Sequence, residues 1–304
     1  MEGTLGFLKL EGKHVFWCAK RLSSAAPTLL TLSTNQTKCA IAVRMKKITV
    51  LGCGASGGVP LIGPIWGNCD PNNSKNRRRR ASILIETEET RILVDASPDC
   101  RAQLLDAGVS TLNGVIFTHA HADHCHGIDD LRWVNQNMGS ALDIYCNDSS
   151  YLELSRRFAY AFEPFEVPDH GFINRPVLVW QEVDEKVFQT GDIEITVYEQ
   201  DHGYSTTLGL RFGSVAYSTD VVSLDDHAFE VLEGIETWFV GCLREEPHPT
   251  HANLETVLSW VERLKPKKTI LTHMNHMLDY DSLRAKLPEH IIPAYDGFVI
   301  TNLI

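Results

Sequence analysis

The stretch Thr118–Gly127, THAHADHCHG, packs four histidines, one aspartate and one cysteine into ten residues. That is more ligand atoms than one metal ion uses, since a tetrahedral site takes about four and an open catalytic site about three. His119 and His121 are two apart, so in extended chain both point to one side. Asp123 and His124 follow on a tighter turn and face a second point. Imidazole and carboxylate suit zinc, and also manganese or iron. Four local ligands therefore predict two metals. Cys125 is expected to pack inward as a small apolar residue. His126 is expected to hydrogen-bond locally or line the rim, and Gly127 to open the next helix.

Around this cluster the chain reads as alternating strands and helices. Apolar runs predict strands over Ile48–Gly54, Ala81–Thr87, Thr90–Ser97 and Val115–Thr118, the last delivering the histidines. Pro98 near its start and Gly108 at its end bound a helix. The segment from Asp129 to Gln189 mixes short elements. Strands follow over DIEITVYEQ, LGLRFGSVAYST (a pair turning at Gly213-Ser214), IETWFVGC and TILTH. Leu254, Val257, Leu258 and Val261 mark an amphipathic helix ended by Pro266. Two packed sheets with helices outside fit this order.

Further ligands must come from distant strand ends. His202, Asp220 and His273 each stand just past a β-run, and the two oxygens of Asp220 allow it to bridge two cations. A lone buried histidine is most often a core residue. Four local ligands joined by three such candidates make coincidence a poor explanation.

THAHADHCHG resembles the HxHxDH signature of the metallo-β-lactamase superfamily. Asp95 before the motif, and His202, Asp220 and His273 after it, stand in the order that family shows. Within it, GCGASGGVP, IWGNCDP, NRRRRAS, THMNH and AYDGF resemble the phosphoribosyl cyclic phosphate phosphodiesterase branch, from about residue 46 to the C-terminus. The resemblance implies the α+β (αββα) metallo-β-lactamase fold, two packed mixed β-sheets flanked by helices. It implies that His119, His121 and His202 hold one divalent ion and Asp123, His124 and His273 a second. Asp220 would bridge them, and Asp95 would orient a ligand histidine. Zinc is the first expectation and manganese the second.

The same resemblance implies phosphodiester hydrolysis, with Asp123 in the catalytic centre and His251 protonating or stabilising the leaving oxygen. His248 is the rival for that role. Ser205 and Thr206 could donate hydrogen bonds to substrate, with turn chemistry an equal alternative. In the run Arg77–Arg80 side chains alternate, so Arg77 and Arg79 could face the pocket and clamp a phosphate. A structural zinc of the branch needs clustered cysteines between Gly63 and Asn76. This chain offers Cys69 there, with Asp70 and His276 as companions, and that zinc is expected to be absent.

Bulk properties bound the alternatives. The chain has 304 residues and net charge −11, which disfavours broad nucleic-acid backbone binding. A small phosphodiester, or a short oligonucleotide, is the expected substrate; a homodimer is compatible and a membrane span is not expected. The alternatives are an RNA-processing nuclease and a glyoxalase-type thioesterase of the same superfamily, with a non-catalytic scaffold last. Eight dispersed cysteines without a CxxC pair suit a reduced, intracellular setting. Residues 1–45 form an N-terminal extension, separate from the expected hydrolase domain of 46–304. The extension is basic and hydroxyl-rich, so it reads equally as a disordered tail or as a mitochondrial or plastid transit peptide.

Overall fold

The computed structural model describes residues 47–165, 171–183, 187–301 and 303, so the leader singled out above lies outside the described residues. The chain runs through β1 (Lys47–Gly52), β2 (Ser82–Glu86), β3 (Arg91–Val94), α1 (Cys100–Asp106), β4 (Gly114–Ile116), α2 (Ala122–Cys125), α3 (Leu131–Met138), β5 (Leu142–Cys146), α4 (Asp148–Arg157) and β6 (Leu178–Glu182). It continues through β7 (Val187–Thr190), β8 (Ile193–Asp201), β9 (Thr206–Phe212), β10 (Val215–Ser218), α5 (Asp226–Leu232), β11 (Thr237–Gly241), α6 (Leu254–Leu264), β12 (Lys268–Thr272), α7 (Tyr280–Lys286), β13 (Ile291–Pro293) and β14 (Val299–Thr301).

These strands form two seven-stranded sheets, ordered β14-β1-β2-β3-β4-β5-β6 and β13-β12-β11-β10-β9-β8-β7. Each sheet is mixed. In the first, β3 to β6 run parallel and the pairs from β14 to β3 are antiparallel. In the second, β10 to β13 run parallel and the pairs from β7 to β10 are antiparallel. Parallel neighbours need a crossover, and α1, α4, α5, α6 and α7 lie in those crossovers.

Side-chain alternation explains why both faces of the first sheet are covered. Ile83, Ile85, Ile92, Val94 and Ile116 point into the core shared with the second sheet, alongside Leu210, Tyr217 and Phe239. Their neighbours Leu84, Leu93, Val115 and Phe117 point the other way and pack with Leu104, Leu131, Val134 and Leu154 of the helices. Period-two burial on both faces produces the near-continuous apolar runs seen in the sequence. Two packed mixed sheets flanked by helices are the architecture expected from the sequence. Among the described residues no helix is long and apolar enough to cross a membrane.

One loop ties the sheets together where the histidines emerge. The Gly54 amide donates to the Arg79 carbonyl at 2.7 Å, and Met274 N donates to Cys53 O at 2.9 Å. The strand predicted to reach Gly54 ends two residues earlier, because the chain leaves β2 there to bridge Arg80 and Met274. Gly52 makes this crossing possible: a Cβ there would lie 2.0 Å from the Arg80 carbonyl oxygen and 2.9 Å from that of Arg79. Both obstacles are backbone, so Gly52→Ala should cost about 1–3 kcal/mol as overpacking. Urea denaturation checks this; an unchanged midpoint would mean that the two backbones do not approach so closely.

Candidate metal centre

The site forms where strands of both sheets end. β4 leads into Thr118 and His119, and α2 is a single helical turn that carries Asp123 and His124. β8, β10 and β12 are followed by His202, Asp220 and His273. Three of the residues at these ends, Asp95 (φ 63°), Asp220 (φ 48°) and His273 (φ 52°), hold left-handed backbone. That conformation is unfavourable for a non-glycine residue and tends to mark functional positions.

The side chains fall into two groups that share Asp220. His119, His121, His202 and Asp220 bring donor atoms within 4.8 Å of one another, and so do Asp123, His124, Asp220 and His273. Asp220 Oδ2 lies 3.7 Å from Nε2 of both His119 and His202. Its other oxygen, Oδ1, lies 3.2 Å from His124 Nε2 and 3.1 Å from His273 Nε2. Asp123 Oδ2 completes the second group, 3.2 Å from His124 Nε2 and 3.5 Å from His273 Nε2. All of these residues are buried except His121, which is exposed.

The far side of three of the rings, those of His119, His124 and His202, is held by protein. Asp95 Oδ2 accepts from His124 Nδ1 at 2.6 Å. Asp95 also accepts from Thr118 N at 2.8 Å and from Thr118 Oγ1, whose oxygen meets His119 Nδ1 at 3.0 Å. Since Thr118 Oγ1 gives its proton to Asp95, it accepts from His119 Nδ1. His202 Nδ1 donates to the Thr250 carbonyl at 2.7 Å. Fixing Nδ1–H in this way leaves the Nε2 lone pair turned inward. The Nε2 atoms of His119, His124 and His273 are buried without a hydrogen-bond partner. Orphaned buried nitrogens are costly, and a divalent cation satisfies them together with the carboxylates.

Electrostatics agree with this donor set. Burial works against charge on Asp220, but the His273 and His124 rings outweigh it and hold the carboxyl well below its usual range. Burial also opposes charge on Asp123, and His124 again holds the carboxyl low. For Asp95 burial wins, raising its carboxyl despite His124. Burial, reinforced by His273, lowers His251 to about 3.

A cavity of about 280 Å³ opens onto the cluster, lined by Ser56, His121, Asp123, Tyr204, Ser205, Thr250 and His251 among others. His251 lies 4.9 Å from His273 and 4.8 Å from His202, ring to ring. Its rival His248 is not among the lining residues, and its Nδ1 is engaged by Thr250. Ser205 lines the cavity and Thr206, in β9, does not. The expectation for Arg77 and Arg79 is corrected: neither lines the cavity. Arg77 lies over the Trp66 ring at 5.0 Å, and Arg79 pairs with Asp106. Arg80 pairs with Asp99. Alternation fixes which arginines share a side but not which side meets the pocket. Arg78 instead is buried, donating to the carbonyls of Asn275 and Leu278. The Cys69 thiol sits against that Leu278 carbonyl at 3.4 Å. Ser56, Tyr204 and Thr250 line the cavity without having been singled out from sequence. Tyr204 was legible as the neighbour of Ser205 in HGYS, whereas Ser56 and Thr250 sit in ordinary turns.

Residues 90–274 match the family described as the beta-lactamase superfamily domain. The chain belongs to the metallo-β-lactamase superfamily of metal-dependent hydrolases. Its place is near the PhnP branch: it is similar to the crystal structure of a new diphosphatase from the PhnP family, 32% identical with a TM-score of 0.76, over 84% of this chain and 96% of that one. It is also 32% identical over 253 residues to an octanoyltransferase of Porphyromonas gingivalis, matching 82% of this chain but spanning only about half (50%) of that relative. The anti-Pycsar protein Apyc1 of Paenibacillus harenae is 25% identical over 210 residues, or 65% of this chain and 84% of that protein. As in other metal sites of such hydrolases, the groups behind the ligands should matter nearly as much as the ligands. Asp95→Asn keeps an acceptor for Thr118 but cannot both satisfy it and accept from His124. Metal affinity should fall about 10–100-fold while circular dichroism stays unchanged. Competition with a chelator reads the affinity, and an unaltered value would contradict the orienting role of Asp95.

Proposed function

We propose that the protein is a two-metal phosphodiesterase acting on a small cyclic or nucleotide-like diester. The observation that carries this reading is Asp220, whose two oxygens face two separate groups of ligand atoms. His119, His121 and His202 would hold one ion and Asp123, His124 and His273 the other, zinc first and manganese second. When bound, such a pair supplies Lewis acidity, lowering the pKa of a water and neutralising charge that grows on a phosphoryl group. The likeness to a PhnP-family diphosphatase supports phosphoryl chemistry.

The protein's own groups define the rest of the reaction. Asp123, low in pKa, stays an acceptor throughout and orients whatever proton donor approaches its side of the cavity. His251 stands on the cavity wall with its Nδ1 4.0 Å from Asp220 Oδ2. With its pKa lowered to about 3, the ring is neutral at physiological pH. A neutral imidazole still donates one N–H. It therefore stabilises the leaving oxygen by a hydrogen bond as charge develops, and the departing alkoxide takes its proton from solvent water. Ser205 offers a further hydroxyl to substrate from the same wall.

Two outcomes follow. Protein loaded with metal should hydrolyse bis(p-nitrophenyl) phosphate, and a chelator should abolish the activity; two bound ions with no turnover of any phosphodiester would sink the proposal. His251→Ala should lose about 10²–10⁴-fold in rate on esters with poor leaving groups with metal content unchanged. His251→Gln, which retains an N–H donor, should keep at least about tenfold more activity than His251→Ala. Equal losses in the two variants would restore the imidazolium form as the acting species.

A further inference from the structure

The loop between His202 and β9 carries a side chain that the metal chemistry does not use. Tyr204 lines the cavity yet is 90% exposed, against 3% for the adjoining His202. Among the described residues its side chain has no hydrogen bond or ring contact. Its backbone is nonetheless fixed. Tyr204 N donates to His202 O at 3.1 Å, and His202 N donates to Ser205 O at 2.9 Å. Gly203 N donates to Asp201 Oδ1 at 2.8 Å. Gly203 has φ +79°, and a Cβ there would lie 2.7 Å from the Pro249 carbonyl oxygen. A constrained loop thus presents a free aromatic face at the mouth of the site.

The cavity's size says what reaches that face. At about 280 Å³ it lies below the usual range for a whole drug-sized ligand. With its phosphate end against the ligand cluster, a larger substrate would extend toward the mouth of the cavity beside Tyr204. No Lys or Arg is among the lining residues, while Asp123 and Asp220 are. A second phosphate would find no side-chain cation there, so a face of this kind is suited to an uncharged group. An exposed tyrosine ring gains most from a planar partner, because stacking removes apolar area from both rings and tolerates any base.

We infer that Tyr204 is a specificity-determining residue that stacks on a planar heterocycle attached to the scissile diester, making a nucleoside phosphodiester the preferred substrate class. This rests on the phosphodiesterase reading above. The test compares a nucleoside cyclic phosphate with the same cyclic phosphate on a base-free methyl riboside, so that the reacting bonds are identical. The wild-type protein should prefer the nucleoside by about tenfold or more in kcat/KM, a modest share of what base stacking can contribute. Tyr204→Ala should remove that preference through KM, leaving the methyl riboside rate within about twofold, and Tyr204→Phe should retain it. Saturation-transfer NMR with the nucleoside monophosphate gives a readout independent of turnover: base protons should be saturated by wild type and lose that signal with Tyr204→Ala. A preference that survives Tyr204→Ala, or equal losses on both substrates, overturns the inference. Wild type that hydrolyses neither compound overturns the phosphodiesterase reading itself, and this inference with it.

Discussion

The buried Asp220 carboxylate is the point on which the site depends. It is the end of a strand in the second sheet, yet each of its oxygens meets imidazoles belonging to both sheets. His119 and His124 come from the first sheet and His202 and His273 from the second. A carboxylate so placed would be expensive to bury without compensating charge. The imidazoles around it supply part of that compensation, and a cation would supply the rest. The same contact therefore closes the sandwich at one edge and defines the chemistry there.

Holding these groups together has a cost in backbone conformation. Asp95, Asp220 and His273 all occupy left-handed φ at strand ends, at about 1–3 kcal/mol each. The turn after β3 is offset by Asp95 itself, which accepts from Thr118 N, Thr118 Oγ1 and His124 Nδ1. Around Asp220, Thr207 Oγ1 donates to the main-chain oxygen at 3.0 Å and Thr219 Oγ1 to Oδ1 at 2.8 Å. The glycine loop from β1 braces His273 by pairing Cys53 and Ala55 with Met274. Rigid β-scaffold and short loops thus share the work, and the stiffness falls where ligand geometry must be reproducible.

Much of this was legible in the sequence. The HxHxDH spacing brought out four candidate ligands, which the folded chain brings together, because local spacing survives folding. His202, Asp220 and His273 were legible as polar residues following apolar runs. The sandwich was readable from period-two and continuous apolar strands. What escaped was set by tertiary contact. Alternation along Arg77–Arg80 could not show that Arg78 is buried beneath the 275–278 loop while Arg79 and Arg80 pair with Asp106 and Asp99. Left-handed backbone at three non-glycine residues has no sequence signature. Short helices such as α5 and α7, two turns each, carry too few residues to show a period. Tyr204 was legible only as the neighbour of Ser205, because exposure beside a cavity is a property of the folded chain.

Under the proposed function, two cations flank the Asp220 carboxylate. Crystals of the metal-loaded protein, with anomalous scattering recorded at the metal edge, test it most directly. Two peaks about 3.5–4 Å apart, one on each oxygen of Asp220, are the predicted result. A single peak, or a pair in which Asp220 touches only one ion, would contradict it.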